Sequence, residues 1–245
     1  MKKQALLNTY VNNVTLQESV DAIEALVKQE KSSYVVAINV DVVMKIEKDA
    51  YLKEIVDKAD LVLVDGKPLV WIAKYHKKPV KEKVSGSDLV PALCEMAARK
   101  DYSLFILGGK DGIAQQARER LEQTYPGIRV VGTYAPPMGF EKDEAELQKV
   151  NDIISQARPD ILVVCFGCPK QEKFIYENIG KYRAKVSVCA GATVDFLAGN
   201  VKRAPKWMSD HGLEWFYRFT QEPKRLFKRY FVDDVQILKL MFKYR

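Results

Sequence analysis

Asp65 stands directly after the apolar run Leu61–Val64 and directly before Gly66. A carboxylate at the end of a buried strand, with its pKa raised by a partly apolar cleft, is placed to act as a general base. Asp-Gly is also a turn-forming pair, which is the plainer reading of the same two residues. Asp41, Asp88 and Asp195 are rival carboxylates. For Asp88 a capping role competes, because Ser87-Asp88 opens a helical pattern. No D-x-D pair occurs anywhere in the chain. If a diphosphate is handled, its charge must therefore be met by Arg, Lys and helix N-termini, and no metal site is expected.

The other chemistry-bearing residues also follow apolar runs. Asn39 and Asp41 come after Ile38, Gly108-Gly109-Lys110-Asp111-Gly112 after Leu107, Gly167 to Glu172 after Phe166, and Gly191 to Asp195 after Ala190. Gly108, Gly109, Glu172 and Asp195 are thus candidates for substrate binding. The G-G-K-D-G turn does not match a dinucleotide fingerprint, which would need a glycine where Leu107 stands. The next strand ends in Gly132-Thr133, not in an acid for a ribose. The pattern argues against a nicotinamide cofactor, and no cofactor is expected. What remains is either a set of backbone N–H groups facing a phosphate or sugar, or a tight turn with no ligand. Cys165 and Cys168 form a C-x-x-C at a strand end, where a thioredoxin-like redox pair would sit. The competing reading is one buried strand cysteine and one small residue before a helix.

These residues need a scaffold, and the pattern predicts one. Short runs rich in β-branched residues fall at Tyr34–Ile38, Leu61–Val64, Ser103–Leu107, Ile128–Val131, Asp160–Phe166 and Lys185–Ala190. Helical patterns lie among them, notably at Ser87–Lys100, Asp111–Tyr125, Glu141–Ala157 and Pro169–Gly180, and Thr15 with Glu18 forms a capping box ahead of a run to Glu30. Continuous apolar strands alternating with helices predict an α/β fold with a mostly parallel, Rossmann-like sheet covered on both faces. Ligands bind at the carboxyl ends of such strands, which is where the residues above fall.

The chain has 245 residues, 47% of them hydrophobic, which excludes a disordered, collagenous or disulfide-stapled class. No apolar run approaches the roughly 18–20 residues of a membrane-spanning helix. The N-terminus has no apolar signal region, and with four cysteines a reducing cytoplasm is expected. The charge is uneven: of 39 Lys/Arg and 32 Asp/Glu, the last 45 residues hold 11 and 5. The same segment holds 10 of the 25 aromatic residues. The expected division is a catalytic core over 1–200 and a basic, aromatic, helical appendage over 201–245.

Arg203, Lys206, Arg218, Lys224, Arg225, Lys228 and Arg229 are the appendage's cations of interest. Pro223 suits the first turn of a last helix, along which Phe227, Phe231, Val235, Leu238 and Phe242 make one stripe. Such a helix suits a membrane surface, or else packs its stripe on the body. Membrane, nucleic acid and diphosphate are the anionic partners that this composition suits.

Several segments together resemble the WecG/TagA/CpsF glycosyltransferase family: Asn39-Val40-Asp41, Ala59-Asp60 through Asp65-Gly66, Val84 to Leu89, Phe166 to Glu172, the run GATVDFLAGNVKRAPKW, and the tail GLEWFYRFTQEPKRLFKRY. The resemblance spans about residues 5 to 232 and is closest to the TagA-like members. It implies a UDP-sugar donor, a polyprenyl-diphosphate-linked acceptor and an anionic membrane surface, with no nucleic acid. It also implies inverting, metal-independent transfer by a protein peripheral on the inner face of the plasma membrane. The implied reaction moves N-acetylmannosamine to undecaprenyl-diphosphate-GlcNAc in wall teichoic acid linkage-unit synthesis. Another UDP-sugar, N-acetylmannosamine uronic acid or glucose, is the alternative within the family. A redox enzyme or a plain membrane-binding module are the alternatives outside it. By position, Asp65 resembles the base, with Asn39, Gln171 and Lys83 in the catalytic set. Arg203 joins the substrate contacts, and Arg218, Arg225, Lys228 and Arg229 serve the diphosphate and the membrane. Ala37 stands where members often have Thr, and Lys83 where many have Arg, which keeps charge but loses the bidentate fork. Homo-oligomerisation is left open by the aromatic surface.

Overall fold

The computed structural model describes residues 2–205, 207–208 and 211–245, with the side chain of Arg225 outside that description. A hairpin comes first, β1 (Lys3–Leu6) antiparallel to β2 (Thr9–Asn12). Then follow α1 (Leu16–Val27), β3 (Ser33–Ile38), α2 (Val40–Ile46), α3 (Ala50–Asp57), β4 (Leu61–Val64) and α4 (Lys67–Tyr75). The chain continues through α5 (Gly86–Lys100), β5 (Ser103–Gly108), α6 (Ile113–Thr124), β6 (Arg129–Tyr134), a 3-10 turn (Phe140–Lys142) and α7 (Glu144–Ala157). It completes the sheet with β7 (Ile161–Cys165), α8 (Lys170–Asn178), β8 (Val186–Cys189) and α9 (Thr193–Leu197).

Six of these strands form one sheet in the order β4-β3-β8-β7-β5-β6, with every neighbouring pair parallel. Side chains along each strand alternate between two cores. Val36, Ile38, Val62, Val64, Leu162 and Val164 face the helices α2, α3, α4, α7 and α8, together with the hairpin residues Leu6 and Val11. Val35, Leu61, Leu63, Ile161, Val163 and Val188 face α1, α5 and α6. Burial on both faces is why the strands read as unbroken apolar runs.

Caps set where the helices start. Thr15 and Glu18 form the expected capping box. The helix expected from Ser87-Asp88 begins earlier: Ser85 is its cap and Asp88 closes the box from the third helical position. Ser85 wins because its extended backbone lets its hydroxyl accept the Asp88 N–H at 3.2 Å.

The C-terminal segment is helical but is not one helix. It runs through α10 (Glu214–Gln221), α11 (Pro223–Lys228), a π turn (Arg229–Asp233), a 3-10 turn (Asp234–Gln236) and α12 (Ile237–Lys243). Ile237 and Leu240 of α12 enter the first core. His76 Nε2 meets the Met241 carbonyl at 2.8 Å, and Lys243 and Tyr244 reach Glu47 at 2.6 and 3.0 Å. Seating Ile237 and Leu240 turns the expected stripe outward: Phe227, Phe231, Val235, Leu238 and Phe242 are all 49–62% exposed. Among the described residues no helix is long and apolar enough to cross a membrane.

Candidate active site

Because the six strands are parallel, their carboxyl ends share one edge, and the predicted residues fall along it in sheet order. Asp65 follows β4, Asn39 follows β3, Gly191 follows β8, Gly167 follows β7, and Gly108 ends β5. Asp65 is pinned by its backbone, whose N–H donates to the Ile38 carbonyl at 2.8 Å. The neighbouring Val84 N–H donates to the Val64 carbonyl at 2.8 Å, laying the loop that carries Lys83, Ser85 and Asp88 beside it.

This loop builds a charge cluster. Lys83 Nζ lies 2.6 Å from Asp88 Oδ2 and 3.8 Å from Glu214 Oε2 at the start of α10. Arg203 Nη2 lies 2.5 Å from Asp88 Oδ1, and its Nη1 donates to the Ser87 carbonyl at 3.1 Å. Ser85 Oγ donates to Asp88 Oδ2 at 2.6 Å. Burial works to raise the Asp88 pKa, but hydrogen bonds from Lys83 and Ser85, the Lys83 charge and Arg203 outweigh it and hold it down at about 2. Asp65 goes the other way. Burial pushes its pKa up to about 6 against the pull of the Lys83 and Arg218 charges, and Glu214 and Asp88 add to the rise. Two carboxyls of one site are thus held apart, one as a fixed anion and one basic enough to take a proton near neutral pH. Arg218 also stacks over the Phe196 ring at 5.2 Å, which links α10 to α9.

The remaining predicted residues have more committed partners than their types suggest. Asn39 caps α2, its Oδ1 accepting the Val42 N–H at 3.1 Å, which leaves its amide nitrogen as the group it can offer. Asp41, the rival base, is paired with Lys45 at 2.8 Å and lies 3.9 Å from Arg229. Gln171 is buried, and its Oε1 accepts the N–H groups of both Gly167 and Gly191 at 3.2 and 3.0 Å. Glu172 is fully buried and accepts the Gln171 amide at 2.8 Å, so it faces Gln171 and not an open ligand surface. Burial raises its pKa. Gly108 and Gly109 have φ of +111° and +87°. A Cβ on Gly108 would stand 2.8 Å from the Cys165 carbonyl oxygen, so close approach of β5 to β7 requires glycine there whether or not a ligand binds. Asp195 lies in α9, and its carbonyl accepts the N–H groups of Asn200 and Val201.

Of the tail cations, Arg203 and Arg218 are brought to the Asp65 cluster. Lys228 is exposed on α11, and Arg229 turns toward Asp41 and Asp234. Lys206 and the Arg225 side chain lie outside the described residues. Sequence reasoning named Asp88 as a rival carboxylate and as a cap but not as the hub of this cluster, and it gave Glu214 and Phe196 no role although both lie in segments that carry the family resemblance. The capping pattern around Asp88 pointed to a helix start and not to an ion-pair centre.

The redox reading of Cys165 and Cys168 meets a physical objection. Burial pushes the Cys165 thiol up to about 12 and raises Cys168 as well, the reverse of the lowered pKa a reactive thiolate needs. All four cysteines are free. Among the described residues no group of three or more His, Cys, Asp or Glu gathers as a metal site would require. An open depression of about 750 Å³ lined by Asp152, Arg158, Lys181 and Arg183 lies at the opposite edge, ahead of β7 and β8, remote from these residues.

Comparison with known proteins gives a consistent result. The model of the glycosyl transferase WecG/TagA/CpsF family matches residues 4–245. An N-acetylglucosaminyldiphosphoundecaprenol N-acetyl-beta-D-mannosaminyltransferase from Bacillus spizizenii is 32% identical over 197 residues, covering 80% of this chain and 74% of the relative. The protein of the same name from Bacillus subtilis is 28% identical over 226 residues, covering 92% of this chain and 86% of the relative.

Proposed function

Given that the chain belongs to the glycosyl transferase WecG/TagA/CpsF family, we propose that it transfers N-acetylmannosamine, with inversion, from its UDP-sugar to undecaprenyl-diphosphate-GlcNAc. The names of the two Bacillus relatives support this donor and acceptor. The observation that carries the reading is Asp65 at the end of β4, with a pKa of about 6 and the cations Lys83 and Arg218 beside it. In this reading Asp65 takes the proton of the acceptor hydroxyl as its oxygen bonds to the anomeric carbon. The bond from that carbon to the UDP oxygen breaks on the opposite face, which inverts the centre. UDP leaves with the electron pair, and Lys83, Arg203 and Arg218 meet the charge it gains. Residues 1–200 supply the base, and residues 201–245 bring Arg203 and Arg218 to it and dock on an anionic bilayer through the exposed stripe. The pathway served is synthesis of the wall teichoic acid linkage unit.

A panel of UDP-sugars with a short-chain prenyl-diphosphate-GlcNAc acceptor tests the reading. The expected result is release of UDP and a β-linked disaccharide with UDP-N-acetylmannosamine. Turnover instead with the uronic acid or glucose donor reassigns the sugar. No turnover with any UDP-sugar overturns the proposal.

A further inference from the structure

β7 and β8 are neighbours at the middle of the sheet, and each ends in a glycine-led turn, Gly167 with φ +77° and Gly191 with φ +58°. A Cβ built on either glycine would meet nothing within 4 Å, so both turns border open space on the edge that carries Asp65. Their two N–H groups converge on one acceptor, Gln171 Oε1. A carboxamide has one accepting end and one donating end, and the flipped rotamer would set its NH2 against two N–H donors. Glu172 secures the same orientation from the donating end, since its Oε1 takes the Gln171 Nε2 hydrogen at 2.8 Å inside a fully enclosed site. The segment is held from the other side as well, since Lys45 Nζ donates to the Cys168 carbonyl at 2.8 Å.

We infer that Gln171 and Glu172 are positioning residues: Gln171 ties the β7 and β8 turns together at the strand-end edge, and Glu172 anchors the donating end of the Gln171 amide. The inference rests on reading this edge as the transfer site, where small displacements of a binding surface carry large rate penalties.

The test is an exchange of the two residues, read by transfer kinetics and by amide hydrogen exchange at Gly167 and Gly191. Gln171→Ala removes the shared acceptor, and both glycine amides exchange at least about tenfold faster. Glu172→Leu leaves the Gln171 NH2 group without its acceptor and lowers kcat with little change in the KM for the donor. Glu172→Gln still offers an oxygen to Gln171, and retains about tenfold more transfer than Glu172→Leu. Gln171→Glu keeps the acceptor but loses the donor and sets two carboxyls together, so it is impaired. The double variant Q171E/E172Q restores the pattern with reversed polarity, because Gln at 172 donates to Glu at 171. It recovers glycine protection and at least about tenfold of the transfer lost in Q171E. The exchanged pair conserves volume, so it carries the test if Glu172→Leu fails to fold. Unchanged glycine exchange in Gln171→Ala, or a double variant no better than Q171E, overturns the inference. Restored protection without restored transfer overturns the positioning role of Gln171 in favour of direct contact with substrate. A wild-type protein that turns over no UDP-sugar, yet shows the expected exchange pattern, removes the transfer reading and leaves the tie standing.

Discussion

The strand-end groups of the body and the cations of the C-terminal segment are held in opposite ways. Asp65, Asn39 and Gln171 are fixed by backbone hydrogen bonds and caps at the ends of strands buried on both faces. Arg203, Arg218 and Arg229 are held by ion pairs and ring contacts on a segment whose apolar stripe faces outward. The first kind of group has its geometry before a ligand arrives. The second kind is matched to Asp88, Asp41 and Asp234, carboxylates that an incoming diphosphate can compete with for the same guanidinium groups. In the proposed reading the body supplies a positioned base, and the tail supplies charge that can be redirected.

Removing the base breaks the comparison most severely. Asp65→Asn is expected to lower kcat by at least about 10²-fold. The same change should stabilise the fold. The Asp65 pKa is raised from 3.8 to about 6 in the folded state, so folding favours its protonated form. Stability from this group therefore grows as pH falls through about 6 toward 3.8, and above 6 the buried charge is a cost. Asp65→Asn removes that cost, and the melting temperature at about pH 7.5 should rise by a few degrees, with the gap closing toward pH 4. A variant that keeps transfer within a few-fold, or one that melts lower, would move the base elsewhere.

The electrostatic link between the two regions has a smaller, signed effect. Lys83 and Arg218 both pull the Asp65 pKa down, Lys83 more than Arg218. Transfer should rise with pH through a limb near 6 in the wild type. Lys83→Met should move that limb up more than Arg218→Ala, because each removes a cation that favours the ionised carboxyl. A limb that stays fixed in both variants would mean that the tail and the loop do not act on Asp65.

How much of this was legible in the sequence depends on whether the cause is local. Leu61–Val64 was readable as a strand, and Asp65 as its terminal group, because a doubly buried strand writes a continuous apolar run. The hairpin of β1 and β2 was not, since its turn uses Leu7 at φ +53° where a glycine would have signalled it. α2 hides for the opposite reason, as Val40, Val42, Val43 and Ile46 read like strand residues until Asn39 is known to cap them. Asp88 was legible as part of a helix start but not as an ion-pair hub, because Arg203 reaches it from 115 residues away. Gln171 could be placed at the site but not given its partners, since Gly191 belongs to a different strand end. The single last helix failed because Ile237 and Leu240 found a seat in the body, which local periodicity does not reveal.

That seat divides the C-terminal segment into residues that anchor and residues that face out, and the two can be separated. Leu240→Ala removes a buried side chain and should cost roughly 2–5 kcal/mol of stability. Replacing Phe227, Phe231 and Leu238 by Ser should leave the melting temperature nearly unchanged, because all three are already about half exposed. The triple variant should lose binding to anionic vesicles and keep transfer to a short-chain acceptor. Cations near an anionic leaflet contribute about 1 kcal/mol each, so the residual binding should vanish first as salt is raised. Undiminished vesicle binding by the triple variant would take the docking role away from the stripe.

The smallest expected effect is that of a chelator, which should leave transfer unchanged. A sugar-nucleotide enzyme that neutralises its leaving diphosphate with a metal needs paired carboxylates within reach of it, and this chain has no D-x-D. The carboxylates nearest Asp65 are already engaged: Asp88 by Lys83, Ser85 and Arg203, and Glu214 by Lys83. A divalent ion entering there would have to displace three fixed cationic or hydroxyl donors from Asp88, donors that hold its pKa down at about 2 against burial. Lys83, Arg203 and Arg218 can meet the diphosphate directly instead. Transfer measured in excess EDTA should therefore match that in Mg²⁺ or Mn²⁺. Activity lost in EDTA and recovered with either ion would show that the cations of this cluster serve the carboxylates and not the leaving group.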